Sequence, residues 1–351
     1  MEEQITAAAP LPYLRVSGSY REIGRQVGEE MRESIVAAIA FYAEHFVAWS
    51  GVAFAEAELL TAPRLEAARR HLPQCVEELA GMAEGAGVEL AELLVLNCGE
   101  ELWVGESCTS VAVANGTDTV LGHNEDWIAA DLDKNVVLDI AASGGARVLA
   151  VTSVPYLPVN GINSFGVACA QNSLSATDER IGVPNVFVCR WALEAGTLEE
   201  ARARLCLPAR GIGSSGLLAD AGGRLWSVET SGTADALTVG DAWLARTNHF
   251  VAPQMRVWEK QVSAGSQARL ARAEQLAAAG VASAVEPLGL AGAVLSDHAP
   301  EGVSICGHAD TSLPVMERDM TVASMLFDVT AGRLHAAAGP ACAASYQTFA
   351  L

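Results

Sequence analysis

At Cys108 the hydrophobic pattern of this 351-residue chain changes period, and that change limits the folds open to it. Upstream, Ile23, Val27 and Met31 recur every four residues, after a Ser19–Glu22 pair with the spacing of a capping box. Further helical stretches are expected from about 61 to 82 and from 88 to 97. All 18 acidic residues before Cys108 are Glu and none is Asp, which suits helix interiors because Asp competes for backbone hydrogen bonds. Downstream the period falls to two. Residues 109–114, 136–141, 147–154 and 166–170 alternate as strands between Gly, Asn and Asp turns. Helical spacing returns at 184–195, 197–206 and 266–279, with more strands expected at 215–220, 224–229, 242–247, 321–329 and 333–338. Strands between two helical groups read as an α+β layered protein, and no repeat or long linker divides it.

A hydrophobic content of 51% over this length supports a large core. The net charge of −20 argues against nucleic acid and against anionic membrane surfaces, both of which call for clustered Lys and Arg. The start, Met1-Glu2-Glu3-Gln4, has no basic region leading into an apolar core, so no secretory signal is expected, and no apolar run suggests a membrane span. Eight scattered cysteines without a CxxC pair read as reduced thiols, and hence as a cytoplasmic protein.

Cys108 stands at the head of the first strand. A free cysteine, with a pKa of roughly 8.5, needs activation to act as a nucleophile. Cutting the chain before it supplies an α-amine with a pKa of about 7.7–8.0, a general base on the same residue. The thiol would attack the Ser107 carbonyl and the resulting thioester would hydrolyse. The plainer reading is a small buried hydrophobe, as most free cysteines are.

The neighbours favour the nucleophile. Cys108-Thr109-Ser110, the Asn115-Gly116 turn, and Gly122-His123-Asn124-Glu125-Asp126-Trp127 resemble the nucleophile region of the acyl-coenzyme A:6-aminopenicillanate acyltransferase family of N-terminal nucleophile (Ntn) hydrolases. Tyr20 to Gly28 and Leu79 to Gly87 are similar to its two Gly-bearing helical segments, and Asn160 to Val167 to a strand turn. Arg246 to Phe250, Ser304 to His308 and Thr321 to Ser324 resemble later blocks, so the likeness covers some 300 residues in order.

The resemblance implies a four-layer αββα sandwich of the Ntn-hydrolase type. Residues 1–107 would form a helical segment, released by autoproteolysis but staying associated with a catalytic segment, 108–351. It implies Cys108 as nucleophile, Asp126 as the residue orienting hydrogen bonds around it, Asn248 as side-chain oxyanion donor, and Arg318 as the arginine near the nucleophile. Thr109, Ser110, Trp127 and Asn163 are assigned to substrate binding. Trp103 and Trp127 either line an acyl pocket or pack as core. The expected substrate is an acyl amide or acyl thioester, hydrolysed or transferred to an amine, as in secondary metabolism; acidity favours small amides over coenzyme A. No cofactor is expected, and self-association is left open.

Two positions depart from the family pattern: Ser107 stands where its penicillin enzyme has Gly, and Glu125 where that enzyme has Trp. Ser107 leaves open a chain that does not process, a degenerate binding protein on the same fold. His123 or His249 as partner of a Cys–His dyad is disfavoured, because an α-amine makes a His base unnecessary. Asp297, His298, Cys306, His308 and Asp310 hold every ligand type zinc uses, but their spacings match no standard site; no metal is expected, and they read as a polar loop supporting the site.

Overall fold

The computed structural model describes residues 10–102, 108–299 and 303–351; Trp103 and Ser107 lie outside them. Strand β1 (Tyr13–Gly18) leads into helices α1 (Tyr20–Glu30), α2 (Arg32–Ser50), α3 (Phe54–His71), α4 (Pro73–Ala86), α5 (Leu90–Asn97) and α6 (Gly99–Leu102). Strands β2 (Thr109–Ala114), β3 (Thr119–Ile128), β4 (Asn135–Ala142), β5 (Arg147–Ser153), β6 (Asn160–Asn163) and β7 (Val167–Ser173) follow. Next come α7 (Asn185–Ala192), α8 (Leu198–Leu205), β8 (Ser214–Asp220), β9 (Leu225–Thr230), β10 (Asp235–Gly240) and β11 (Trp243–Arg246). The chain closes with α9 (Ala264–Ala282), α10 (Pro287–Leu295), β12 (Asp319–Asp328), β13 (Arg333–Ala338) and β14 (Gln347–Ala350).

The strands make two sheets. Eight run in the order β1-β4-β5-β6-β7-β8-β9-β10, and six in the order β11-β2-β3-β12-β13-β14. Among the described strands only the β1–β4 pair is parallel. Period-two alternation gives each sheet two apolar faces. Ala112, Leu121, Val137, Leu149, Ile162, Leu217, Met325 and Phe327 pack between the sheets. The outer face of the larger sheet takes Ile23, Leu79, Met82 and Leu94 from the N-terminal helices together with α7 and α8. That of the smaller sheet takes Leu270, Ala273, Leu290 and Val294 from α9 and α10. The layers are therefore αββα, as expected.

The Gly-bearing segments have a packing reason. A Cβ on Gly24 would fall 1.8 Å from the Glu78 carbonyl oxygen, and one on Gly81 2.0 Å from that of Arg21. Glycine lets α1 and α4 touch backbone to backbone. Behind them Arg190 of α7 is fully buried between Glu78 of α4 and Glu194, and Tyr20 of α1 donates to Glu194. This network ties the N-terminal helices to the rest of the chain.

Some elements differ from their expected form. The helix expected at 61–82 is two helices broken at Leu72, because Pro73 opens α4 with its ring at the first turn. Helices α2 and α10 and strands β1, β6, β10 and β14 escaped the sequence reading; α2 is apolar around much of its circumference, β6 has only four residues, and β1 puts a strand of the larger sheet inside the N-terminal segment expected to be helical, ahead of the strand at Cys108. No single described helix is long and apolar enough to cross a membrane.

Candidate active site

The site forms where β2 and β3 pair edge to edge. Thr109 lies opposite Asn124, so Cys108 enters the sheet beside the polar end of β3. Alternation divides that end between two faces. His123, Glu125 and Trp127 point between the sheets, whereas Asn124 and Asp126 point toward α9 and α10. Asn124 there donates to the carbonyls of Leu295 and Ile305.

On the helix side one guanidinium gathers the candidate residues. Arg269 of α9, 3% exposed, donates from Nη1 to the Cys108 carbonyl at 2.6 Å and to Thr109 Oγ1 at 2.8 Å. Its Nη2 reaches Asn248 Oδ1 at 3.1 Å. That contact fixes the Asn248 amide with its NH2 group turned away, where it donates to the Ser173 carbonyl at 3.3 Å. Asp126 Oδ1 accepts from Thr321 Oγ1 at 2.5 Å, across a β-bulge between β3 and β12. Burial lifts the Asp126 carboxyl to about 8, against the pull of the Arg269 charge and the Thr321 hydroxyl.

On the inter-sheet side, Cys108 Sγ lies 3.5 Å from Glu125 Oε1. Glu125 Oε2 accepts from Asn160 Nδ2 at 2.8 Å and meets His123 Nε2 at 3.2 Å. His123 Nδ1 contacts Ser110 Oγ at 2.7 Å, and Ser110 in turn donates to Asn172. Glu125 also forms the wall of a cavity of about 90 Å³ between the sheets, lined by Leu96, Glu100, Trp127, Tyr156, Asn160 and Val186 among others. Burial raises the Glu100 carboxyl, which accepts from Ser173 and Asn185, and lifts Glu101 to about 8.

Of the residues singled out by sequence, Cys108, Thr109, Asp126 and Asn248 converge through Arg269. Ser110 and Trp127 stand on the cavity side, with Trp127 in the cavity wall. Two are not brought there. Arg318 donates to the carbonyls of Leu313 and Thr311, closing its own loop, and the guanidinium at Cys108 is that of Arg269. Asn163 donates to the carbonyls of Leu193 and Ala195 and accepts from the backbone of Phe165 and Val167, which pins the β6–β7 turn to the end of α7. His249 contacts Ser266 Oγ at 2.7 Å, and burial lowers its pKa. Cys108, His123 and Glu125 bring one donor atom each within 4.8 Å of the others, a set of three that could hold a metal ion.

Arg269 and Asn160 were missed. Arg269 had one signal: it falls on the buried stripe of α9, among Ser266, Leu270, Ala273 and Ala277, where a charge is out of place without a partner.

The sequence model of the family described as acyl-coenzyme A:6-aminopenicillanic acid acyl-transferase matches residues 113–289, half of the chain. The chain belongs to this family. The matched stretch includes Asp126, Asn248 and Arg269 and begins five positions after Cys108. A relative within the family is the 40 kDa form of acyl-coenzyme A:6-aminopenicillanic-acid-acyltransferase from Emericella nidulans, 28% identical over 195 residues. That match takes in 54% of this chain and 55% of the relative, so the chain spans about half the length of the curated relative it matches. Among solved structures, a variant of conjugated bile acid hydrolase from Clostridium perfringens aligns at a TM-score of 0.45 and 11% identity, over 70% of this chain and 97% of that one. Penicillin V acylase from Agrobacterium tumefaciens aligns at 0.44 and 15%, over 66% and 82%.

Proposed function

We propose that this family member is a self-processing cysteine amidohydrolase or acyltransferase whose nucleophile is Cys108. The observation that carries the reading is the Arg269 bridge. One buried cation holds the Cys108 carbonyl, Thr109 and Asn248 together while the Cys108 thiol lies beside Glu125 in the cavity wall. In maturation Sγ attacks the Ser107 carbonyl, the acyl group shifts from nitrogen to sulfur, and water hydrolyses the thioester. Residues 1–107 end in a new carboxylate and 108–351 begin with a free α-amine. The buried Arg190 network and the core shared by the N-terminal helices and the larger sheet would keep the two segments associated.

In turnover the α-amine takes the thiol proton and the thiolate attacks the acyl carbonyl. Asn248 Nδ2 and a backbone N–H hold the oxyanion. Collapse expels the amine, which leaves with the proton. Water or a second amine then attacks the thioester, releasing an acid or a new amide and returning the proton to sulfur. Arg269 anchors the residue that carries both nucleophile and base, and Asp126 supports that anchor.

The cavity favours small amides over coenzyme A thioesters as substrate. Its described lining includes no Arg or Lys to meet phosphates, and two carboxyl groups, Glu100 and Glu125, stand in it. Leu96, Leu157, Val186 and Met325 suit a short apolar acyl group. Intact-mass analysis tests the reading: wild type should separate into 1–107 and 108–351, Cys108→Ala should stay whole, and an acyl amide should leave its acyl mass on Cys108. An intact wild-type chain that takes no acyl group would leave a binding protein as the better account.

A further inference from the structure

Four side chains outside this chemistry converge between the end of α10, the loop before β12 and the turn after β13. His298 follows α10, Cys306 and His308 lie on the loop before β12, and Cys342 sits in the turn Ala341–Ala343 after β13. His308 Nε2 lies 3.1 Å from His298 Nε2, 3.3 Å from Cys342 Sγ and 3.8 Å from Cys306 Sγ. All four donor atoms fall within 4.8 Å of one another.

Hydrogen bonding does not account for the cluster. A ring nitrogen has one in-plane position for a partner, so at most one of the three contacts on His308 is satisfied that way. The spacing fits the vertices of a tetrahedron instead. Zn–N distances of about 2.0–2.1 Å and Zn–S of about 2.3 Å imply edges of roughly 3.3–3.8 Å. The carboxylates nearby are engaged elsewhere: Asp297 takes both arms of Arg272, and Asp310 accepts from Ser312.

We propose that His298, Cys306, His308 and Cys342 form a structural zinc site. Two thiolates and two imidazoles are donors that suit zinc and not magnesium or calcium, and a full set of four protein ligands leaves no open position for catalysis. Binding releases the two thiol protons to solvent, and the dication with two thiolates makes a neutral centre. The ion would clamp the loop before β12 to the C-terminal turn. That loop hydrogen-bonds to Thr321 in both directions, through Gly307 N to Thr321 Oγ1 and Thr321 N to Gly307 O, and Thr321 donates to Asp126. The site therefore stands behind the candidate active site, joined to it through Thr321.

Metal analysis of the reduced full-length protein, dialysed after exposure to zinc, tests the assignment. About one zinc per chain should be retained by wild type and by Cys108→Ala, which removes the other soft-donor cluster at Cys108, His123 and Glu125. Cys342→Ser and His298→Gln change exposed ligands, and should keep the circular dichroism of wild type while losing the zinc. Cobalt(II) in the wild-type site should show tetrahedral d–d bands with thiolate-to-metal charge transfer, a readout independent of how the variants fold. Reduced wild type that retains no zinc, zinc lost with Cys108→Ala, or a cobalt spectrum without thiolate bands overturns the site. A Cys306–Cys342 disulfide that takes up no metal once reduced does the same.

Discussion

The guanidinium of Arg269 and the carbonyl oxygen of Cys108 meet at 2.6 Å although 161 positions separate them in the chain. A charge-assisted bond of this kind, inside a shell that excludes water, locks the head of β2 in place. Replacing Arg269 by Met should therefore lower self-cleavage and kcat/KM by at least about 100-fold, on the scale of losing one preorganised electrostatic group. Arg318→Ala should stay within about twofold, because it removes only loop-closing hydrogen bonds worth about 1 kcal/mol. Denaturing gels and steady-state rates on both variants check the contrast; equal losses would return Arg318 to the site.

Asn248 reaches Arg269 with one end of its amide and Ser173 with the other. As an oxyanion donor it should cost about 10²–10³-fold in kcat when changed to Ala, with KM little altered. Rates measured on already processed protein separate this role from one in maturation. A change confined to KM would remove Asn248 from the transition state.

Asn163 should behave as a structural residue. Its side chain serves four backbone groups, and Asn163→Ala removes all four hydrogen bonds, three of them buried. We expect a loss of stability on the order of 3 kcal/mol, with KM unchanged in the folded enzyme. Urea denaturation alongside substrate titration gives both numbers; a raised KM at unchanged stability would restore the substrate-binding role.

Stability should fall as pH rises from about 4 to about 8. Burial lifts Asp126 and Glu101 to about 8, so the folded chain holds protons that the unfolded chain releases near pH 4. Below the unfolded values this contribution is fully present, and it is lost as pH climbs through the folded ones. At the acid end Asp139, Asp178 and Asp297 are held below the usual carboxylate range by their partners, so their contribution disappears as pH drops through it. Together they place the maximum in mildly acidic solution. Thermal denaturation from pH 3 to 9 measures the profile, and Asp126→Asn should flatten its alkaline slope.

How much of the site was legible depended on how far each residue sits from Cys108. Cys108, Thr109, Ser110 and Asp126 lie on two consecutive strands joined by a short turn, so alternation and the Asn115-Gly116 signal bring them together. Asn160 and Asn163 show where such reading fails. Three positions apart on one short strand, they face opposite sides of the sheet, and the one chosen from sequence is the one turned toward α7, while Asn160 meets Glu125. Arg269 and Arg272 are both arginines of one Ala-rich helix; the first is buried against Cys108, the second pairs with Asp297 at the surface. Cys342 carried no signal at all beside Cys306 and His308.

Periodicity, capping and turn chemistry act over a few residues, and these alone determined most of the N-terminal helices, the strand that follows Cys108 and the layered α+β class. The family likeness added the expected order of layers and the choice of Cys108 as the proposed nucleophile. Which arginine holds Cys108, which asparagine faces the cavity, and which cysteine joins His298, Cys306 and His308 were decided only by tertiary structure. The docking of α9 and the register of β6 and β13 are set by packing over the whole core, and no local window of the chain carries that information.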